Sequence, residues 1–248
     1  MARIGPVLDG PTLDGIRTTR IFADGADLDS IVELAADPVI AGFTTNPTLM
    51  RSAGLRDFEG FARAVIDKVA GRPVSFGVCA DDPDEVARQA RVISGWGPNV
   101  YVKVPVTTTG GEDLTGVAGR LSSAGIQVNV TAVFTVAQAG RAVAALDGGA
   151  PSIVSVFAGR IADAGVDPVP VVGEAVRLAE ARSGPRILWA SPRQVYDLCL
   201  ADSVGCHAIT MTPGLFRKVG LLGRDLEEFS RETVAMFLRD ARSSGFTV

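Results

Sequence analysis

Eight short apolar runs recur along the chain, and most of them are separated by a segment of helical periodicity. The runs are rich in β-branched residues, which favour strands buried on both faces of a parallel sheet. They lie near residues 20–24, 39–44, 73–78, 99–106, 126–132, 152–157, 186–190 and 206–211. This regular alternation, with no linker or low-complexity break, predicts an α/β fold.

Chain length narrows the choice among α/β folds. The chain has 248 residues, a length typical of one (β/α)8 TIM barrel. We therefore predict a single barrel domain over residues 20–248, preceded by a polar, glycine- and proline-containing N-terminal extension over residues 1–19. The alternative is an open, doubly wound sheet, which produces the same alternation of elements.

Helix signals between the runs agree with either architecture. Residues 57–69, 136–146 and 171–181 are apolar on one helical face or throughout. Asp82 suits an N-cap, and the Pro83 that follows it suits the first helical position.

Composition excludes several classes of function. The net charge is -4 and the isoelectric point is about 5.1, so we expect no general affinity for nucleic acid or for anionic membranes. No apolar run reaches the ~18 residues of a membrane span. Cys79, Cys199 and Cys206 lack CxxC spacing, and His207 is the only histidine, which predicts a reduced cytoplasmic protein without a metal site. No GxGxxG or Walker A motif indicates a nucleotide cofactor.

The fourth apolar run contains a lysine. Alternation along residues 101–106 places Tyr101, Lys103 and Pro105 on one face of the strand. A buried ammonium group is costly, so such a lysine tends to lose its proton, and the neutral amine forms Schiff bases with carbonyl substrates. The alternative is a lysine at the strand end whose amine extends to water.

Polar side chains follow the ends of several predicted strands, where TIM barrels carry their chemistry. They are Asp24, Thr44, Asn46, Lys103, Thr131, Arg160, Ser191 and Arg193. The two arginines follow consecutive late strands, and a guanidinium group matches phosphate oxygens in a bidentate manner. Taken singly, each arginine is equally typical of a solvated surface, and Thr44 to Pro47 is typical of a turn that ends a strand.

Several motifs together resemble the transaldolase family, including its shorter branch and the fructose-6-phosphate aldolases. Thr-Thr-Asn-Pro-Thr occurs at residues 44–48 and Val-Lys-Val-Pro-Val at 102–106. Residues 155–161 resemble the Ser-Pro-Phe-x-Gly-Arg-Ile of transaldolases, and residues 190–193 resemble their Ala-Ser-Phe-Arg. The resemblance covers roughly residues 20–248 and implies a Schiff-base enzyme on an α/β barrel.

The resemblance also implies roles for individual residues. Lys103 matches the Schiff-base lysine, Asp24 the first-strand aspartate and Thr131 the fifth-strand threonine. Substrate-binding roles are implied for Thr44, Asn46, Asn129, Ser155, Arg160, Ser191 and Arg193. For Ser155, a structural hydroxyl bonded to the backbone is an equal alternative. The expected partners are sugar phosphates of carbohydrate metabolism such as the pentose phosphate pathway, with no metal or organic cofactor, and a homo-oligomer is left open.

Two positions depart from the family pattern. Gly77 occupies the third-strand position where transaldolases carry a glutamate and the aldolase branch a glutamine. Phe157 stands where the aldolase branch has a tyrosine. We therefore expect Asp24, acting through a water positioned by Thr131 and Asn129, to serve as the base. Cys79 beside the vacated space is expected to be a small buried side chain.

Three functions remain open on this evidence. The favoured one is a transaldolase-like transferase that moves a dihydroxyacetone unit from a ketose phosphate to an aldose phosphate. An aldolase-like lyase would use the space at Gly77 for water, although Phe157 argues against it. A phosphosugar-binding barrel that has lost its acid/base is the third, although a binder has no need of a buried amine at Lys103.

Overall fold

The computed structural model describes residues 15–245 and is a closed barrel of eight parallel strands in sequence order. The strands are β1 (Arg20–Asp24), β2 (Ile40–Thr44), β3 (Val74–Gly77), β4 (Val100–Pro105), β5 (Val128–Val133), β6 (Ile153–Val156), β7 (Arg186–Trp189) and β8 (Ala208–Met211). Because β1 pairs with both β2 and β8, the sheet has no free edge. The (β/α)8 barrel prediction is confirmed, and the open sheet is excluded.

Helices follow the strands in the alternating order that the sequence predicts. They are α1 (Leu28–Ala35), α2 (Pro47–Ser52), α3 (Phe58–Lys68), α4 (Pro83–Ser94), α5 (Thr115–Ser123), α6 (Val136–Ala145), α7 (Ala158–Asp163), α8 (Val169–Glu180), α9 (Tyr196–Ser203), α10 (Pro213–Phe216) and α11 (Leu226–Ser243). A short 3₁₀ turn spans Val219–Leu221.

Side-chain caps explain where the helices nearest the barrel mouth begin. Asp82 accepts hydrogen bonds from the backbone N–H groups of Asp84 and Glu85, and Pro83 occupies the first helical position of α4. Asn46 caps α2 by accepting from the N–H of Leu49 at 2.9 Å. This cap fixes the side-chain rotamer of Asn46 at the end of β2.

A cluster of apolar side chains fills part of the barrel interior. Phe22, Tyr101 and Ile153 belong to one buried cluster with Leu188, Ala190 and Ala208. A Cβ atom at Gly42 would lie 2.5 Å from the ring of Phe22, so only glycine at that position leaves room for the ring. Tyr101 shares its strand face with Lys103, as the alternation predicts, and the polar site lies beyond this cluster along β4.

The ends of the chain are less simply divided. Residues 1–14 of the predicted extension lie outside the described residues. At the end of that extension, the backbone N–H groups of Arg17, Thr18 and Thr19 donate to the Asp202 carboxylate. One compact unit ends at Phe216 and contains the barrel, and a second begins at Arg217 and contains α11. The predicted domain boundaries stay predictions. No helix within residues 15–245 is long and apolar enough to cross a membrane.

Candidate active site

A cavity of about 380 Å³ opens where the strands end at the C-terminal face of the barrel. TIM-barrel sites form at this face because the βα loops meet there. Eight of the ten predicted site residues line it: Asp24, Thr44, Asn46, Lys103, Thr131, Ser155, Arg160 and Ser191. Asn129 and Arg193 are not among the lining residues.

The amine of Lys103 is held inside this cavity by β4. Its Nζ donates a hydrogen bond to the carbonyl oxygen of Thr45 at 2.8 Å. Burial lowers the pKa of Lys103 below the ordinary value of 10.5, and the negative charge of Asp24 only partly opposes that effect. A larger share of the amine is therefore neutral near pH 7 than for a surface lysine.

The carboxyl group of Asp24 lies at the end of β1 and is bonded on both oxygens. The Thr44 hydroxyl donates to Oδ1 at 2.7 Å, and the Asn46 amide donates to Oδ2 at 3.4 Å. Burial raises the pKa of Asp24 above 3.8, although Lys103 and these two hydrogen bonds lower it. A carboxylate with a raised pKa is a stronger base, which suits proton transfer.

Asn129 supports the site from within β5. Its Nδ2 donates to the Ser75 hydroxyl at 3.0 Å, and its Oδ1 accepts from the Ser155 hydroxyl at 2.7 Å. All three residues are buried. Because both ends of the amide are engaged, Asn129 orients Ser155, which does line the cavity.

Thr131 presents a hydroxyl without a protein partner. Its Oγ1 is buried and has no hydrogen bond to any residue between 15 and 245. The pairing of β5 with β6 shifts register after Val130, and Ala132 adopts a φ of 59°, so β5 bends at this point. A buried hydroxyl is normally hydrogen-bonded, so the Oγ1 is suited to a substrate atom or a water in the cavity.

The two predicted phosphate-binding arginines have different surroundings. Arg160 is exposed at the cavity rim, with its guanidinium carbon 5.6 Å from the centroid of the Phe157 ring; it has no acidic partner in the part of the chain that the structure describes. Arg193 instead forms a bidentate ion pair with Asp163, with Nε 3.1 Å from Oδ1. Arg160 is therefore the guanidinium available to a ligand.

The backbone of Ser191 packs closely on α7 because residue 159 is a glycine. A Cβ atom at Gly159 would lie 1.6 Å from the carbonyl oxygen of Ser191. Ser191 itself has a φ of 61°, in the left-handed region that few non-glycine residues adopt. Gly159 therefore lets the first turn of α7 pack against the loop after β7, and both Arg160 and Ser191 line the cavity.

The position of Gly77 is open. It lines the cavity beside Lys103, its pairing partner across β3 and β4. An added Cβ atom would meet only the Cβ of Lys103, at 3.9 Å. The prediction for Cys79 is wrong, because this residue is exposed and lies outside the cavity, where its N–H donates to Gln89.

Sequence reasoning missed Thr210, one of several cavity residues outside the predicted set. Thr210 on β8 lines the cavity, and its hydroxyl oxygen lies 2.6 Å from that of Thr44. The available signal was a single polar residue within the otherwise apolar stretch of residues 208–211. Among residues 15–245, no group of three or more histidine, cysteine, aspartate or glutamate side chains is arranged to hold a metal ion.

Comparison with known proteins gives the family that this sequence matches. A sequence model of the family described as transaldolase/fructose-6-phosphate aldolase matches residues 21–247. Proteins called probable transaldolase are 37% identical over 193 residues in Dehalococcoides mccartyi, covering 77% of this chain and 86% of the relative, and 35% identical over 202 residues in Rhodospirillum centenum, covering 81% and 83%.

Likeness to solved structures concerns the fold alone. A putative lyase/mutase from Burkholderia cenocepacia superposes with a TM-score of 0.57 at 13% identity, covering 97% of this chain and 87% of that one. The family match is the more specific finding, because residues 21–247 include the strands that carry Asp24 and Lys103. The chain belongs to the transaldolase/fructose-6-phosphate aldolase family.

Proposed function

We propose that this protein is a transaldolase-type transferase, which moves a dihydroxyacetone unit from a ketose phosphate to an aldose phosphate through a Schiff base on Lys103. The observation that carries the proposal is the Lys103 amine, which lines the barrel-mouth cavity together with Asp24. A binding protein gains nothing from a buried amine with a lowered pKa, whereas a carbonyl nucleophile requires one.

The first step is attack of the neutral Lys103 amine on the ketone carbon. The resulting carbinolamine loses water and becomes an iminium ion. The iminium then draws electrons from the bond between C3 and C4 of the sugar, while Asp24, directly or through water, takes the proton of the C4 hydroxyl. The three-carbon unit remains on Lys103 as an enamine, which adds to the aldehyde of the acceptor by the reverse sequence.

The polar residues around the amine support the remaining steps. Thr44 and Asn46 already donate to Asp24, which orients the carboxylate. The second N–H of the Asn46 amide is left for a sugar hydroxyl. The unpartnered hydroxyl of Thr131 is suited to the water that carries the proton. Arg160 and Ser191 at the rim are suited to the phosphate.

The proposal is tested by borohydride reduction of the protein with a panel of ketose phosphates, followed by intact-mass measurement. We expect a stable adduct of the three-carbon unit, and turnover that requires an aldose phosphate acceptor. Release of free dihydroxyacetone without an acceptor would favour the aldolase-like alternative, for which the open space at Gly77 argues. Binding of sugar phosphates with no adduct would favour a non-catalytic barrel.

The phosphate subsite gives an asymmetric prediction. Arg160→Ala should weaken the interaction with phosphorylated substrates by roughly 1.5–3 kcal/mol, the range for a hydrogen bond to a charged group. It should barely change kcat/KM for unphosphorylated sugars. Arg193→Ala should cost less, because Asp163 already engages that guanidinium. Ratios of kcat/KM for the two substrate types provide the measurement.

The matched control for that comparison is Arg182→Ala, which removes a surface ion pair with Asp147 outside the cavity. It should leave both substrate types unchanged. Equal losses for phosphorylated and unphosphorylated sugars in Arg160→Ala would mean that this arginine has a structural role.

A further inference from the structure

We infer that Thr210 is a positioning residue for Asp24, which it controls through the hydroxyl group of Thr44. The three side chains come from β8, β2 and β1 and form one hydrogen-bonded chain. The two threonine hydroxyls are 2.6 Å apart, and that of Thr44 is 2.7 Å from the carboxylate. Any role of these hydrogen bonds in catalysis rests on the proposed function. Their effect on the protonation of the Asp24 carboxyl group does not.

Counting protons fixes the direction of these two hydrogen bonds. An ionised carboxylate only accepts hydrogen bonds, so Thr44 must use its single proton to donate to Asp24. The short contact between the two hydroxyls then requires Thr210 to donate to Thr44. Among residues 15–245, the hydroxyl of Thr210 makes no other side-chain or backbone hydrogen bond.

Burial strengthens the hydrogen bonds of the two threonine hydroxyl groups. Thr44 is 1% exposed and Thr210 is 5% exposed, so water competes poorly for either hydroxyl. Hydrogen bonds in such a chain polarise one another, so donation by Thr210 strengthens donation by Thr44 to the carboxylate. Thr210 thereby favours the ionised form of Asp24 and opposes the effect of burial.

Both hydrogen bonds can reverse direction when the carboxyl group takes up a proton. A protonated Asp24 can donate to Thr44, which then donates to Thr210, and each hydroxyl needs only a rotation about its C–O bond. The Thr210 proton can turn toward the cavity, which this residue lines. The same three side chains therefore accommodate both protonation states that a base passes through during turnover.

Other groups near the carboxyl must be kept constant in a test. Asn46 from the β2–α2 loop donates to Oδ2, and Lys103 from β4 is the charged group that acts on Asp24. Because Lys103 titrates as well, the comparison is made between variants that leave Lys103 and Asn46 unchanged.

The test is a titration of the Asp24 carboxyl by carbon-13 NMR in protein labelled at the aspartate carboxyl carbons. The Asp24 signal is identified by its loss in Asp24→Asn. Thr210→Val should raise the Asp24 midpoint by roughly 0.5–1 pH unit, a three- to tenfold change in dissociation constant and the scale of one net hydrogen bond. Thr210→Ser, which restores the hydroxyl, should return the midpoint to that of wild type.

The control variant is Thr19→Val, which removes another buried hydroxyl, one that donates to the carbonyl oxygen of Cys206. It should leave the Asp24 midpoint unchanged whatever it does to thermal stability. Should Thr210→Val fail to fold, Thr210→Ala removes the same hydroxyl with less bulk. An unshifted midpoint in a folded variant without the Thr210 hydroxyl would overturn the inference.

Activity measurements separate this inference from the proposed function. In an active enzyme, the acid limb of the kcat/KM profile should move to higher pH in Thr210→Val, in step with the NMR midpoint. If wild type forms no adduct with any ketose phosphate, the proposed function fails, yet the titration still decides the role of Thr210. An acid limb that stays in place while the NMR midpoint moves would remove Thr210 from catalysis.

Discussion

Lys103→Arg is expected to abolish the borohydride-stable adduct and to lower turnover on the order of 10⁶-fold, the scale found when a covalent nucleophile is removed from other enzymes. Arginine keeps the positive charge and a donor for the carbonyl oxygen of Thr45, which Lys103 now contacts at 2.8 Å. Its guanidinium group stays protonated in proteins and cannot form a Schiff base. The variant should therefore fold and bind substrate without reacting.

The controls for this experiment are unusually complete, because the chain contains only three lysines. Lys68→Arg and Lys218→Arg should each trap the substrate as wild type does, and peptide mapping should assign the adduct to Lys103. An adduct that persists in Lys103→Arg would remove this residue from the mechanism. Circular dichroism and thermal unfolding establish that the variant has kept its fold.

Asp24→Asn is expected to lower turnover by about 10²–10⁴-fold, the usual contribution of a general acid or base. Lys103 remains in place, so the borohydride adduct should still form. The charge of Asp24 raises the pKa of Lys103 against the effect of burial. Removing that charge should therefore lower the pKa of the amine further, and the trapping rate should reach half its maximum at a lower pH than in wild type.

A structural role for Asp24 would produce a different result. Loss of the carboxylate would then destabilise the protein, or suppress trapping and turnover equally.

The same titration of trapping rate in wild type should show a midpoint below 10.5, the ordinary lysine value. A wild-type midpoint at or above that value would contradict the low-pKa amine on which the proposed mechanism depends.

Gly77→Glu tests whether Asp24 suffices as the base. The open space at this position accepts a Cβ atom 3.9 Å from that of Lys103, so the new side chain should fit into the cavity. If Asp24 and a water carry the proton, Gly77→Glu should gain little or should lose activity by displacing that water. Gly77→Gln is the matched control, because it fills the same space without a carboxylate.

A large gain in turnover from a negligible wild-type rate, seen in Gly77→Glu and not in Gly77→Gln, would indicate a degenerate site. That result would favour a phosphosugar-binding barrel over a transferase. Retention of Lys103, Asp24 and Arg160 around one cavity argues for the working enzyme.

Local sequence determined the elements of this fold. The apolar runs became the eight barrel strands, because β-branched residues in short runs suit strands that are covered on both faces. Asp82 caps α4 where the capping rules predict, and Asp57 caps α3 in the same way. The period-two pattern of β4 also placed Lys103 on the inner face with Tyr101, because side chains alternate strictly along a strand.

Only the tertiary structure decided which polar groups meet. Thr44 and Thr210 are 166 residues apart in sequence and 2.6 Å apart in space, a contact that exists because closing the barrel brings β8 beside β1, next to β2. Arg160 and Arg193 look alike in the sequence, yet Asp163 pairs with only one of them. Periodicity describes which face a residue occupies on its own strand, whereas barrel closure and competition between partners set the contacts across strands.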